Sequence, residues 1–511
     1  MREKHFNSFV LVIAMAIFIS APTTYAQRIV DVPAGYGTLQ AVLSADSANR
    51  VANNNTIYRV HRGNADSVYY LTSTLTGWGT MPLHIESSGS GDLPAFIMVT
   101  LSDGSTITPM ISATANLTLK GVFINGLNTL GVAVDRVIRI QNDSVTVSID
   151  SCLMNMSSQS FIRVDNNHAR IYLKDCRVSN IYSDWSNARG IDNRGVTIDT
   201  LSMIGCSFYR IGYRVYRDGG GILSYAFIDH NTFTEIGSSI FGLGSTINFT
   251  YINNLAVNCE FLGQGKSSTG RLISMTAIPN SGQKAYVAHN VFYADTTALH
   301  AAFTTSSDTT VFAPWFADTI VTFINAASLA STNISSPVTF TKAPNDVAGA
   351  VQIDSIARWY WRNPNVNTGD ASILRLDDFK AVDLSYNADA PAYTFGTDGK
   401  PAGAAEWFGI AITGVREKDL VRVPAGFSLD QNYPNPFNPS TAISYQLPVN
   451  SFVSVKVYDE IGKEVARLVS GEQSAGTYTV RWNAANFSSG IYFYDLNAGS
   501  YHEVRKMVLL K

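Results

Sequence analysis

From about residue 117 onward, apolar residues recur in short runs that share one pattern: apolar, any residue, polar or small, then Cys, Asn, Val or Leu, any residue, apolar. "LKGVFI" starts at Leu119, "IDSCLM" at Ile149, "LKDCRV" at Leu173, "MIGCSF" at Met203, "IDHNTF" at Ile228, "INNLAV" at Ile252 and "VAHNVF" at Val287. The anchors lie 24 to 35 residues apart. A period of this size marks stacked supersecondary units. No amphipathic run of helix length separates the units, and the L-x-x-L-x-L-x-x-N signature of leucine-rich repeats is absent. Short β-branched strands between Asn- and Gly-bearing turns predict a parallel β-helix with one coil per repeat. Coils stacked about 4.8 Å apart give these seven runs a length of roughly 30 Å.

In-register stacking places Cys152, Cys176 and Cys206 in one column, continued by Asn231 and Asn290. The thiols are expected to pack as small apolar groups rather than to bridge, and the asparagines to hydrogen-bond along the stack. No Cys-x-x-Cys or Cys/His spacing points to a metal. His230 and His289 share a repeat position and read as turn residues.

A solenoid needs covered ends. In "VDVPAGYGTLQAVLSADSANRVANNNTIYRV", Leu39, Val42, Leu43 and Val51 have helical spacing, Thr38 is a candidate N-cap, and "TIYRV" follows as a strand. This start resembles that of pectate-lyase-like proteins of the pectin-lyase superfamily, and "LSYNADAPAYTFGTDGKPAGAAEWFG", Leu384 to Gly409, resembles their closing segment. The resemblance covers about residues 30 to 410. It implies a right-handed parallel β-helix whose first coil is plugged by a short helix. Residues 27–300 are then the N-terminal cap and β-helix. Residues 301–410 are a last coil, an insertion that includes "SIARWYWRNPNVN", and a C-terminal cap, and 411–426 is a linker.

From Phe427 to Lys511 the pattern changes to two-residue alternation in "SFVSVKVYD", "GTYTVRWNA", "GIYFYDLNAG" and "HEVRKMVLL". Val453, Val455 and Val457 share one face; Tyr478, Val480 and Trp482 share another. With "EIGK", "SAG" and "SSG" as turns, this predicts a small immunoglobulin-like β-sandwich. "FSLDQNYPNPFNPSTAISYQLP", "VSVKVYDEIGKEVARLVSGEQSAGTYTVRWN", "SSGIYFYDL" and the terminal "RKMVLLK" resemble the C-terminal sorting domain of type IX secretion. The resemblance implies export through the periplasm and across the outer membrane, with removal of the tail. The prolines of "NYPNPFNPST" remove backbone donors, so the entry strand cannot be extended backward into a ladder.

Composition agrees with an all-β chain: 46% hydrophobic and 15% charged among 511 residues, with 24 Tyr and 26 Phe. The formal net charge of −3 gives nucleic-acid binding no electrostatic support. "MREKHFNSFVLVIAMAIFISAPTTYAQR" has basic Arg2 and Lys4, an apolar core from Phe9 to Ile19, and a small-x-small site at Thr24-Tyr25-Ala26, so residues 1–26 read as a signal peptide. Its apolar run is shorter than the roughly 18 residues a membrane span needs. Secretion, to the extracellular space or the outer-membrane surface of a Gram-negative bacterium, is the expected destination.

Candidate chemistry concentrates between Asp184 and Asp229. "DWSNARGIDNRG" carries Arg189, Asp192 and Arg194, and "YRIGYRVYRDGGG" interleaves Tyr209, Tyr213 and Tyr216 with Arg210, Arg214 and Arg217 before Asp218. Arginine forks bind carboxylates bidentately and aromatic rings stack on sugar faces, so an acidic polysaccharide is one expected partner. The fold resemblance implies a lyase, with Arg210, Arg214 or Arg217 taking the proton and Asp192 and Asp218 holding calcium. No family catalytic motif matches residue by residue. A glycoside hydrolase would need paired carboxylates, for which Asp192, Asp199, Asp218 and Asp229 are candidates. The alternatives are a non-catalytic adhesin or glycan-binding rod, and a solvated face of braced turns. "GQGKSSTGR" lacks the first glycine of a phosphate loop, Glu260 standing there. The triplets at Asp66, Asp143 and Asp318 resemble bacterial O-glycosylation sites.

Overall fold

The computed structural model describes residues 27–52, 55–63, 67–77, 79, 81–101, 106–181, 183, 187–259, 272–275, 284–295, 332–342, 382–409, 427–447, 451–473, 476–499 and 501–510. The expected signal peptide, "GQGKSSTGR", "SIARWYWRNPNVN", the linker, Asp66, Asp184 and Asp318 lie outside these residues.

Each repeat is one coil of a parallel β-helix with three sheets. In a representative coil, Ile198–Ile204 lies in sheet I, Ser207–Ile211 in sheet II and Arg214–Arg217 in sheet III, and Ile222–Asp229 returns to sheet I. Among the described residues sheet I has ten strands, sheet II eleven and sheet III eight. At about 4.8 Å per coil, sheet I is roughly 43 Å long. Inward-facing Leu, Ile, Val and Phe from all three sheets form one continuous core, from Val32 to Phe292.

The third position of the repeat explains itself in the backbone. Gly121, Ser151, Asp175, Gly205, His230, Asn253 and His289 all have positive φ, between 49° and 66°. One left-handed residue there turns the chain from sheet I into sheet II, which favours Gly, Asn and Asp. The residue after it points into the interior. Cys152, Cys176 and Cys206 are buried in that column and form no disulfide. The column then continues as asparagine. Cys206 N donates to Asn231 Oδ1 (2.9 Å), Asn231 N to Asn254 Oδ1 (2.9 Å), Asn254 N to Asn290 Oδ1 (2.9 Å) and Asn290 N to Asn333 Oδ1 (3.0 Å). Asn254 and Asn333 extend the expected ladder. The repeat expected to begin at Ile252 begins one residue earlier: Tyr251, not Ile252, pairs with Ile228 and Val287.

At the N-terminal end, helices Thr38–Ala45 and Ser47–Ala52 cover the first coil, with Leu39 and Leu43 buried. The N-cap is Gly37 (φ 67°) and not Thr38, which is the first helical residue; no side chain caps the helix. Strand Arg28–Val32 precedes the helices and pairs with Thr56–Val60, so the first coil begins before the plug.

The described part of the expected C-terminal cap is a strap. Asp383–Tyr386 pairs antiparallel with Phe340–Lys342. The chain then runs back along earlier coils. His289 Nδ1 meets Phe395 O (3.1 Å), and Thr397 N donates to Asn253 Oδ1 (2.8 Å). Ala404 N donates to Thr232 Oγ1 (2.9 Å), Trp407 Nε1 to Ser207 Oγ (2.7 Å), and Arg177 Nε to Glu406 Oε1 (3.1 Å). The strap covers an apolar outer patch of sheet II that includes Tyr209, Leu255, Val257 and Val291.

The tail is a sandwich of two antiparallel sheets. Ser428–Leu429, Ser440–Leu447 and Gly476–Asn483 form one; Glu464–Gln473, Ser451–Asp459, Gly490–Ala498 and Tyr501–Leu509 form the other. Val453, Val455, Val457 and Trp482 are buried between them, with Tyr478 and Val480 packed at the margin. Phe437, within the proline segment, is buried against Trp482, and its N–H donates to Val508 O (3.0 Å).

Candidate functional site

Sheet III carries most of the candidate chemistry on its outer side. Its strands Arg136–Ile140, Ser160–Val164, Arg189–Asn193 and Arg214–Arg217 place Ile138, Ile162, Ile191 and Tyr216 in one inward column. Arg139, Arg163, Asp192 and Arg217 form an adjacent outward column. Arg136, Ser160, Arg189 and Arg214 align at the strand starts.

Two aspartates brace this array. Asp165 receives Arg139 Nε (2.5 Å) and Arg163 Nε (2.9 Å); burial raises its pKa, but the two guanidiniums outweigh burial and hold it below the usual carboxylate range. Asp192, 1% exposed, faces Arg189 (3.0 Å), Arg217 (3.2 Å) and the exposed Arg194 (3.7 Å). Burial lowers the pKa of Arg189; Asp192 pulls it back up, while Arg217 and Arg194 push it further down. Arg214 lies over the ring of Tyr213 (4.6 Å) and reaches across Gly242 in the next coil, where a Cβ would stand 2.3 Å from Arg214 Nη1.

Asp218 is a loop clamp. Its Oδ1 accepts from Asn193 Nδ2 (3.2 Å), Gly220 N (3.1 Å) and Gly221 N (3.0 Å), and burial raises its pKa against these bonds. The expected calcium role does not fit these groups. A calcium ion needs six to eight oxygens, whereas Asp192 is ringed by guanidiniums and Asp218 by N–H donors. Among the described residues no three His, Cys, Asp or Glu side chains are grouped as metal ligands.

Four of the expected residues lie elsewhere. Arg210 sits near the end of the sheet II strand Ser207–Ile211 with φ 55°, and its Nε donates to Glu235 Oε2 (3.3 Å) one coil on; both side chains are buried. Tyr209 is buried under the strap, its pKa pushed up to about 12 by burial. Tyr216 is inside the core, its hydroxyl accepting from Asn193 Nδ2 (3.4 Å), and Tyr213 is 8% exposed. Burial withdraws all three tyrosine rings from sugar stacking. The four hydrolase candidates do not converge: Asp199 pairs with His168 (2.9 Å) and Arg170 (3.0 Å), and Asp229 with His230 (2.7 Å), all on sheet I or its turns. Arg136, Arg139, Arg163 and Asp165 join the face without having been anticipated. Their signal was the recurrence of Arg at matching places in "RVIRI" and "SFIRV", legible only once the strands are in register.

The charges of sheet I behave differently. Asp31, Arg59, Glu86, Lys120, Asp150 and Lys174 occupy one outward column in strictly alternating sign.

Residues 431–510 match the family described as the secretion system C-terminal sorting domain. The tail is therefore such a domain, and it marks the protein for type IX secretion to the cell surface or extracellular space of a Gram-negative bacterium. No curated protein matches the chain. A solved structure of PorZ, an essential bacterial surface component of the type-IX secretion system of Porphyromonas gingivalis, is similar at 20% identity over 23% of this chain, with a TM-score of 0.13. The match spans 14% of that chain. No helix among the described residues is long and apolar enough to cross a membrane.

Proposed function

We propose that this is a secreted rod that binds an anionic polysaccharide along sheet III. The observation that carries the reading is the in-register stacking of Arg139 on Arg163 and of Arg189 on Arg214, with one coil step between the partners of each pair. Like charges placed opposite each other on neighbouring strands are destabilising. The alternating column of sheet I avoids this; sheet III does not. Arg136, Arg139, Arg163, Arg189, Arg194, Arg214 and Arg217 outnumber Asp135, Asp165, Asp192 and Asp218 on and beside the face, in a chain whose formal net charge is −3. A polymer with a carboxylate or sulfate on successive sugars would relieve that repulsion and use the guanidinium forks bidentately.

Binding is favoured over cleavage. Arg189, whose pKa burial lowers, is 7% exposed and braced by Asp192, so it is placed to order the face rather than to take a proton. The test is affinity electrophoresis of the mature chain on polygalacturonate, alginate and dextran, with Arg163→Ala and Arg217→Ala. The expected result is retention on the polyanions alone, weakened in both variants and by salt. Unchanged retention in both variants overturns the site. Release of unsaturated uronate, with or without calcium, would establish a lyase in place of a binding rod.

A further inference from the structure

Sheet I carries an aromatic array that the sheet III reading does not use. Its central outward column reads Thr118, Ser148, Tyr172, Ser202, Phe227, Thr250, Tyr286, each in direct register with the next. From Ser148 on, small hydroxyl residues and rings alternate over six successive coils. Tyr172 and Phe227 are half-buried and Tyr286 is 56% exposed. Ser202, between the first two rings, is 2% exposed. No charged residue interrupts the column from Thr118 to Tyr286. Beside it Arg170 pairs with Asp199 (3.0 Å) and Lys174 with Asp175 (3.9 Å).

We propose that this column binds a neutral, unbranched β-1,4-linked glycan lying along the rod axis, with its rings under every second sugar. Consecutive rings are two coils apart, about 9.6 Å. That step matches the disaccharide repeat of an extended β-1,4-linked chain, whose two-fold twist returns the same sugar face to the same side at every second residue. Each ring offers a flat apolar platform to a sugar face. The intervening coils carry Ser202 and Thr250, and Ser148 lies one coil before the first ring, so small hydroxyl residues leave room where the alternate sugars present their own hydroxyls. An extended peptide repeats its side chains at about 6.7 Å and falls out of step with the rings. A polyanion finds no excess positive charge in the column. The proposal concerns a different face from the arginines of sheet III and does not depend on them.

The test is calorimetric titration of the mature chain with cello-oligosaccharides of increasing length, with maltohexaose as the α-linked control. Affinity is expected to rise until a chain of about five sugars reaches all three rings, by the ~4.8 Å coil spacing. Maltohexaose should bind at least about tenfold more weakly, and Phe227→Ala should weaken cellohexaose about tenfold while Phe227→Tyr preserves it. Circular dichroism of Phe227→Ala confirms that the coil is intact, and Tyr286→Ala, at an exposed ring, repeats the measurement where folding is not at stake. Absence of cellohexaose binding overturns the proposal, as does equal binding by Phe227→Ala and Tyr286→Ala, or loss of that binding in Arg163→Ala. Polygalacturonate retention, read on the same variants, reports on sheet III separately.

Discussion

Asn254 is the position at which the interior ladder can be tested most sharply. Its side chain is fully buried. Nδ2 donates to Ile228 O (3.0 Å) and Asn290 Oδ1 (3.1 Å); Oδ1 accepts from Asn231 N (2.9 Å) and Asn231 Nδ2 (3.0 Å). In Asn254→Ala the Asn231 N–H loses its acceptor inside the core, which costs about 1–3 kcal/mol. The two donor bonds of Nδ2 also go, each worth about 0.5–1.5 kcal/mol net. Asn231 Nδ2 keeps Met203 O (3.0 Å) and Asp229 O (3.1 Å), so the loss does not spread further along the stack. The total is about 2–6 kcal/mol. Asn254→Cys should cost about half as much. The same column accepts cysteine three coils in succession, and Cys206 Sγ takes Cys176 N–H at 3.5 Å while donating to Ile204 O at 3.4 Å. The assay is urea unfolding followed by far-ultraviolet circular dichroism, with hydrogen exchange at the Asn231 amide as the local probe, because solenoids can lose cooperativity between neighbouring coils. A loss below about 1 kcal/mol in Asn254→Ala, or a cysteine variant no better than alanine, refutes the ladder as a stability element.

The strap should be sensitive to pH. His230 lies between Asp229 (Nδ1, 2.7 Å) and Asp398 (Nε2, 3.3 Å), with Lys400 on the far side of Asp398 (3.1 Å). Burial lowers the His230 pKa, but both carboxylates outweigh it and the net shift is upward. A raised folded pKa means stabilisation fully present below the unfolded value of about 6.5 and lost as pH rises through the folded value. Trp407 fluorescence and limited proteolysis should report loosening of residues 395–407 above about pH 6.5, absent in His230→Gln; the same profile in the variant counts against the latch. Gly242→Ala should displace the Arg214 guanidinium, a flexible end, and weaken polyanion binding a few-fold with little change in melting temperature; unchanged binding removes Arg214 from the face. Deleting 427–511 should leave the thermal transition of the β-helix in place while the protein fails to reach the cell surface; surface display of the truncated chain would contradict the sorting role.

The β-helix was legible because its rule is local. A left-handed residue followed by an inward one, between two strands, writes the same six-residue pattern at every coil, and Gly, Ser, Asp, Asn and His all satisfy it. The slip at Ile252 came from the same rule: "YINNLAV" offers two adjacent asparagines, and only the turn geometry decides that Asn253 (φ 58°) turns and Asn254 enters the ladder. The site was less legible because "YRIGYRVYRDGGG" crosses a corner. Tyr209 and Arg210 lie in a sheet II strand, while Arg214 and Arg217 belong to sheet III. Neighbours in sequence there face different surroundings. The true neighbours of Arg217 are Asp192 and Arg163, one and two coils back and far away along the chain.

The three faces divide the available surface by chemistry. Where Leu255, Val257 and Val291 lie on the outside of sheet II, the chain closes over them with its own strap, and Arg177 holds the strap by stacking on Trp407 (3.8 Å) and pairing with Glu406 (3.1 Å). That face is spent on folding. The strap's described contacts fall on sheet II and the turns next to it, so sheets I and III remain for partners. They are separated by the turn that Asp218 clamps against Gly220 and Gly221, and by the pairing of Arg170 with Asp199. Ligands on the two faces therefore have no reason to compete. Saturating polygalacturonate should leave the affinity for cellohexaose unchanged, and competition between them would mean that one surface serves both.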